Sequence, residues 1–148
     1  MPTAKDIMTT KVITASKDMP IKELSELFVE YKINGLPVVD DDGEVIGVVT
    51  QGNLIEQQKN LHIPTVIALF DAVLFIDSAK KFEEDAKKLT GKLVGDIYHN
   101  NPVTVAPNTE VGEIATLMAE KDIHTIPVVD ADKLVGIIGK IDVIRGMS

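Results

Sequence analysis

The chain has 148 residues, 45% of them hydrophobic, which suits one compact domain with its own core. It contains no cysteine, so a disulfide framework, thiolate catalysis and cysteine-ligated zinc are excluded, and a reducing compartment fits. With 15 basic against 23 acidic residues the net charge is −8, which opposes binding to nucleic-acid backbones and serves solubility.

From the N-terminus, Met1-Pro2-Thr3-Ala4-Lys5-Asp6 carries no apolar secretory core behind a basic lead. No apolar stretch reaches membrane-spanning length; His62–Ile76 comes nearest and is broken by Pro64, Thr65 and Asp71. A cytoplasmic protein with no membrane insertion is expected. Val12-Ile13-Thr14 is a β-branched run and predicts a short strand. Ile21, Leu24, Leu27, Phe28 and Tyr31 lie at helical spacing, and Pro20 suits the first turn of that helix. Leu36–Asp40 and Val45–Thr50 predict two strands joined at Asp41-Asp42-Gly43, an Asp-Gly hairpin signal. A further helix opens near Gly52.

Residues 56–93 have no internal counterpart. Ser78–Leu89 reads as a helix with Phe82, Ala86 and Leu89 on one face, capped by Ser78 and ended by Thr90-Gly91. Thr65–Ile76 is apolar, and its period does not separate helix from strand. It is either a linker that packs on the rest or a dimer contact. The series then starts again. Val103-Thr104-Val105 predicts a strand; Val111, Ile114, Leu117 and Met118 form a helical face, with Thr109 as its N-cap. Two strands meet through Ala131-Asp132, and a last helix opens near Ile141. Val45–Val49 and Leu134–Ile138 are almost wholly apolar and predict strands buried on both faces.

The two series are one sequence repeated. Leu36-Pro37-Val38-Val39-Asp40 returns as Ile126-Pro127-Val128-Val129-Asp130, 90 residues later. Asp6-Ile7 matches Asp96-Ile97, Glu23 matches Glu113, and Ile33 matches Ile123. The second turn is one residue shorter, so Val45-Ile46-Gly47-Val48-Val49 pairs with Leu134-Val135-Gly136-Ile137-Ile138. Duplication implies two units of about 50 residues, near the lower limit for an independent core, that pack against each other. The fold class is α/β (α+β): two βαββα repeats related by a pseudo-twofold, with a partly helical linker inserted between them. The expected division is residues 1–61, 62–93 and 94–148. The seam between related halves is a natural ligand site.

This ordered series, present twice, resembles the cystathionine-β-synthase-type (CBS) domain as a tandem pair, over residues 4–61 and 94–147. The resemblance implies two clefts between the repeats that bind AMP, ADP, ATP or another adenosyl compound. It implies a Ser/Thr after the third strand for phosphate and an Asp three residues on for the ribose diol. A helix N-terminus favours an anion, and a carboxylate accepts both diol protons. The first repeat keeps the hydroxyl in Thr50 and has Asn53 for the Asp. The second keeps Asp142 and has Gly139 for the hydroxyl, with Lys140 between them as a compensating charge. The family's His-Arg before the strand proline corresponds to Asn34-Gly35 and to His124-Thr125; only His124 matches. The cleft carrying Asp142 and His124 is therefore the better preserved, and that carrying Thr50 and Asn53 comes second. Ile13, Thr14, Val103, Thr104, Leu36 and Ile126 fall where the family walls adenine.

Each site residue also has a structural reading. Asp142 suits a first helical turn, Thr50 and Asn53 suit caps, and His124 suits a surface histidine. Asp40-Asp41-Asp42-Gly43 lacks calcium-loop spacing, and His62, His99 and His124 lack zinc spacing. No nucleophile-base pair, phosphate loop or dinucleotide fingerprint stands out, so no enzyme is expected. The expected function is a regulatory sensor module, stand-alone or acting on an unidentified protein partner. An adenine nucleotide would be its regulatory ligand rather than a required cofactor, and it would form a homodimer. The alternative is an oligomerisation scaffold whose clefts have lost their ligand.

Overall fold

Each copy of the repeated sequence folds into the same run of elements. In the computed structural model, residues 1–59 and 92–148 are described. The first copy holds α1 (Ala4–Ile7), α2 (Ile21–Tyr31), β1 (Gly35–Val39), β2 (Val45–Thr50) and α3 (Gln51–Lys59). The second holds α4 (Val94–Ile97), α5 (Val111–Lys121), β3 (Thr125–Asp130), β4 (Lys133–Gly139) and α6 (Lys140–Gly146). The predicted helix Ser78–Leu89 and the run Thr65–Ile76 lie outside the described residues. No helix among the described residues is long and apolar enough to cross a membrane.

Matched spacing buries matched residues. Helix α2 puts Ile21, Leu24 and Phe28 into a core, and α5 puts Val111, Ile114 and Met118 into another. Tyr31, expected on the α2 apolar face, is half exposed at the helix end. Both helices stop at a left-handed residue, Lys32 at φ 52° and Asp122 at φ 51°. Pro20 and Glu110 stand at the N-cap positions, which corrects two expectations. Pro20 precedes the first helical turn, and the Thr109 hydroxyl instead accepts the Ala106 N–H at 3.1 Å, closing the turn before α5.

Strands β1 and β2 pair antiparallel, as do β3 and β4, and both ladders slip by one residue, after Val38 and after Val128. The first turn uses Gly43 at φ 80°, with the Asp40 carboxylate accepting the N–H groups of Asp42 (3.0 Å) and Glu44 (2.9 Å). The shorter second turn places both Ala131 and Asp132 at positive φ, the geometry of a two-residue hairpin loop.

The expected first strand of each repeat shrinks to one parallel bridge, Ala15 to Val38 and Val105 to Val128. Turns closed by Met19 N–H to Ser16 O and Thr109 N–H to Ala106 O begin immediately afterwards and end the pairing. The strand prolines fit this arrangement. Pro37 O accepts the Ala15 N–H at 3.0 Å and Pro127 O accepts the Val105 N–H at 3.1 Å. A strand residue's N–H and C=O point the same way, so the proline's missing donor is missing from the short bridge and not from the hairpin.

The entry segments cross over. Thr9 exchanges both backbone hydrogen bonds with Ile137 of the second repeat (2.9 and 3.0 Å), and His99 does the same with Val48 of the first. Gly136 leaves room for the Met8 side chain, and Gly47 leaves room for the Tyr98 ring. One core therefore joins Ala4 to Val111, Ile114, Ile126, Val128 and Ile138. The other joins Val94 to Leu24, Phe28, Leu36, Val38 and Val49. On the pseudo-axis Gly35 abuts Thr125, its own repeat mate, and the Lys133 ammonium donates to Asp42 O at 2.8 Å.

Candidate functional site

The crossover leaves two related clefts along the seam, each walled by both repeats. One, of about 350 Å³, gathers Ile13, Gly35 and Leu36 from the first repeat against His124, Thr125, Gly139, Lys140 and Asp142 from the second. The other, of about 830 Å³, gathers Thr50 and Asn53 from the first repeat against Val103, His124, Thr125 and Lys140 from the second. Both volumes lie in the ordinary range for small-molecule pockets. Asn34, His124, Thr125 and Lys140 stand on the wall between the clefts and line both.

Three residues expected on the adenine walls line neither cleft. Ile126 is wholly buried in the second core, because its neighbour Thr125 takes the cleft-facing place in an alternating strand. Thr14 is half-buried beside cleft-facing Ile13, and Thr104 is exposed beside cleft-facing Val103, by the same alternation.

Local bonding sets what the polar groups can still offer. Thr50 N–H and hydroxyl both donate to the Asn53 side-chain oxygen, at 2.9 and 3.0 Å, while Asn53 N–H donates to the Thr50 hydroxyl at 3.2 Å. This closed cap of α3 occupies the hydroxyl and the amide oxygen and leaves the Asn53 NH2 as a donor. In the second repeat the Asp142 carboxylate accepts the Gly139 N–H at 2.8 Å through Oδ2. Without a hydroxyl at Gly139 the exchange is half made, and Oδ1 stays available to a ligand. Gln51 ties the β2–α3 junction down, donating its N–H to Asn34 O (2.9 Å) and its side chain to Ile33 O (2.8 Å). Lys140 takes the matching place and lines both clefts. The His124 ring nitrogen lies 3.7 Å from the Asp122 carboxylate, at an exposed edge.

The structure adds residues that the motif did not mark. Lys11, Lys32 and Arg145 line the Asp142 cleft; His99, Asn101, Lys121 and Asp122 line the Thr50 cleft. Apolar strand residues on one wall with a carboxylate and cations on the other can hold a flat ring, a diol and an anion together. Among the described residues, no group of three or more metal-ligating side chains comes together.

Comparison with known proteins points the same way. A model of the CBS domain family matches residues 4–60 and 94–148. The CBS domain-containing protein CBSX2, chloroplastic, of Arabidopsis thaliana is 34% identical over 152 residues, covering 97% of this chain. The match spans 62% of that relative's own length. The crystal structure of CBSX2 in complex with AMP superposes with a TM-score of 0.74 at 29% identity, covering 99% of this chain and 96% of that one. The CBS domain pair of protein MJ0100, in complex with 5′-methylthioadenosine and S-adenosyl-L-methionine, gives 0.72 at 25% identity, covering 98% and 94%.

Proposed function

The chain belongs to the CBS domain family, as a tandem pair, and from that membership we propose that it is a regulatory module for an adenine nucleotide or other adenosyl ligand. The ligand sits in the clefts between the repeats, and its binding is passed to a protein partner. The observation that carries this reading is the Asp142 cleft, where Asp142, with one carboxylate oxygen outside the cap bond, shares the lining with Ile13 and Leu36 of the other repeat. Asp142 takes the ribose diol, and Ile13 and Leu36 flank the base. Gly139, Lys140, His124 and Thr125 surround the anionic or polar tail. Thr50 and Asn53 hold a second ligand less firmly, because an uncharged amide replaces the carboxylate. AMP in CBSX2, and 5′-methylthioadenosine with S-adenosyl-L-methionine in the MJ0100 pair, support the ligand class.

Each cleft has walls from both repeats, so a bound ligand favours the arrangement in which they close on it. That differential affinity is what can bias a partner-binding surface. Thermal shift with AMP, ADP, ATP, NADH and S-adenosyl-L-methionine tests the reading. A ligand at 100 times its Kd adds about 2.7 kcal/mol, which raises Tm by roughly 5–10 °C at this size. No shift with any of the five would overturn it.

The Thr50–Asn53 cap supports a second reading, an oligomerisation scaffold, because its polar groups already satisfy each other. Ile55 and its repeat mate Ile144 are both largely exposed, as are Ile141 on α6 and Met147 just after it, and the proposed homodimer would cover them. A dimer in light scattering whose Tm ignores every nucleotide would favour the scaffold; nucleotide copurifying with the protein would exclude it.

A further inference from the structure

The two clefts are repeat mates, yet one is far more cationic: four lysines and arginines line the Asp142 cleft, whereas Lys121 and Lys140 line the other beside Asp122. Lys11, Lys32, Lys140 and Arg145 line the Asp142 cleft, with Asp142 as the one carboxylate among the described residues on its wall. By the repeat alignment these positions fall on Asn101, Asp122, Gln51 and Glu56 in the other half. Asn101, Asp122 and Gln51 line the other cleft, and Glu56 lies one turn beyond Asn53 on α3. At each of four matched positions a cation on one side faces a neutral or acidic residue on the other. The chain carries 23 acidic residues to 15 basic, so an ordinary patch of its surface is acidic. Among the described residues, four cations around a pocket of about 350 Å³ depart furthest from that background.

The cations also come from separate elements. Lys11 follows the crossing segment, Lys32 ends α2, and Lys140 and Arg145 belong to α6. They converge only because the two repeats meet. Lys32 holds a left-handed backbone at φ 52°, which costs a lysine more than it would a glycine or asparagine. Its mate Asp122 adopts the same conformation with a side chain that tolerates it better.

Resting on the adenosyl reading above, we propose that the Asp142 cleft selects a polyphosphorylated adenosine, the di- or triphosphate, through Lys11, Lys32, Lys140 and Arg145. The Thr50 cleft takes the less charged adenosyl ligand. Asp142 keeps the diol, the cations clasp the phosphate chain, and the forked guanidinium of Arg145 suits two phosphate oxygens at once. The two sites thereby divide adenosyl compounds by charge.

Calorimetric titration in EDTA, without divalent cations, tests this. Affinity should rise from adenosine through AMP and ADP to ATP in 50 mM salt, and the advantage of ATP should shrink about tenfold or more at 500 mM. Lys11→Gln with Arg145→Gln should weaken ATP about tenfold and leave adenosine unchanged, while Lys22→Gln, exposed on α2 and lining neither cleft, leaves ATP unchanged. Lys32→Gly should raise Tm by relieving the left-handed strain while weakening ATP, a pair of effects that loss of folding cannot produce. Inorganic tripolyphosphate should compete with ATP, and lose that competition in the double variant. Adenosine binding as tightly as ATP at low salt, or an unchanged ratio in the double variant, overturns the charge selection and leaves the adenosyl reading standing. If no adenosyl compound binds, the adenosyl reading and this selection fall together; tripolyphosphate binding lost in the double variant would then mark the cleft as a site for free polyphosphate.

Discussion

Asp142 does two jobs with two oxygens, and the jobs can be separated. Its Oδ2 receives the Gly139 N–H, while Oδ1 faces the cleft in the proposed ligand role. Asn at this place keeps an acceptor for the cap but loses the charge that strengthens a diol bond. Asp142→Asn should therefore change urea stability by a few tenths of a kcal/mol and weaken the adenosyl ligand about tenfold; Asp142→Ala should also lose about 1 kcal/mol of cap. Equal ligand affinity in wild type and Asp142→Asn would confine Asp142 to capping. Asp6 presents a related case at the entry segment. The Thr3 N–H (2.8 Å) and Thr3 hydroxyl (3.0 Å) both donate to its carboxylate, and these bonds hold its pKa below the ordinary carboxylate value. Unfolding returns it to about 3.9, so the charged cap contributes stability in full above that pH and loses it as pH falls through the lowered native value. The Tm gap between wild type and Asp6→Asn should hold steady from pH 7 to about 5 and close below about pH 4. A gap that widens in acid would contradict the sign.

The crossing segments depend on two glycines at the scale of elements, and the pair makes an ordered prediction. The atoms nearest a Cβ on Gly136 are the Met8 sulfur, Cγ and Cβ, whereas one on Gly47 would meet the Tyr98 ring and the His99 carbonyl oxygen. The Met8 thioether can rotate away, leaving a tight contact at its Cβ; a backbone carbonyl fixed by Val48 N–H at 3.0 Å cannot move. Gly136→Ala should cost about 1–2 kcal/mol and Gly47→Ala about 2–3 kcal/mol by urea denaturation, and the reverse order would count against the crossover packing. The elements themselves were largely legible. Helical spacing marked α2 and α5, and the turn residues marked both hairpins, because these signals are local. Val12-Ile13-Thr14 misled because β-branched composition describes an extended segment, whether it joins a ladder or, as Ile13 does, walls a cleft. The crossover was not legible, since two tandem copies read identically whether each closes on itself or lends its first segment to the other. Lys11 and Lys32 escaped notice for the same reason. They stand more than 100 residues from Asp142 and share no motif with it.

Taken as a whole, the molecule holds its repeats together by more than a contact surface. Ala4, wholly buried, belongs by sequence to the first repeat and by packing to the core of Ile114; Val94, equally buried, makes the opposite exchange with Leu24. Neither core closes without chain from the other copy, so the two should melt as one. Leu24→Ala and Ile114→Ala, at matched and fully buried sites, should each cost about 2–5 kcal/mol and move a single calorimetric transition. Deleting residues 1–9 removes Ala4, Ile7 and Met8 from the second core and Thr9 from the wall of the Asp142 cleft. It should lower that same transition and weaken the ligand of the Asp142 cleft more than that of the Thr50 cleft. Two separate transitions, with Leu24→Ala shifting one and Ile114→Ala the other, would show the halves to be independent. The coupling bears on signalling as well. A ligand that tightens the Asp142 cleft, as proposed, would pull on Thr9, and Thr9 is hydrogen-bonded to Ile137 in the strand that leads into α6. In the proposed regulatory role, occupancy of that cleft would reach the strand and helix that carry the exposed Ile141 and Ile144, with Met147 just beyond, where a partner or second copy would read it.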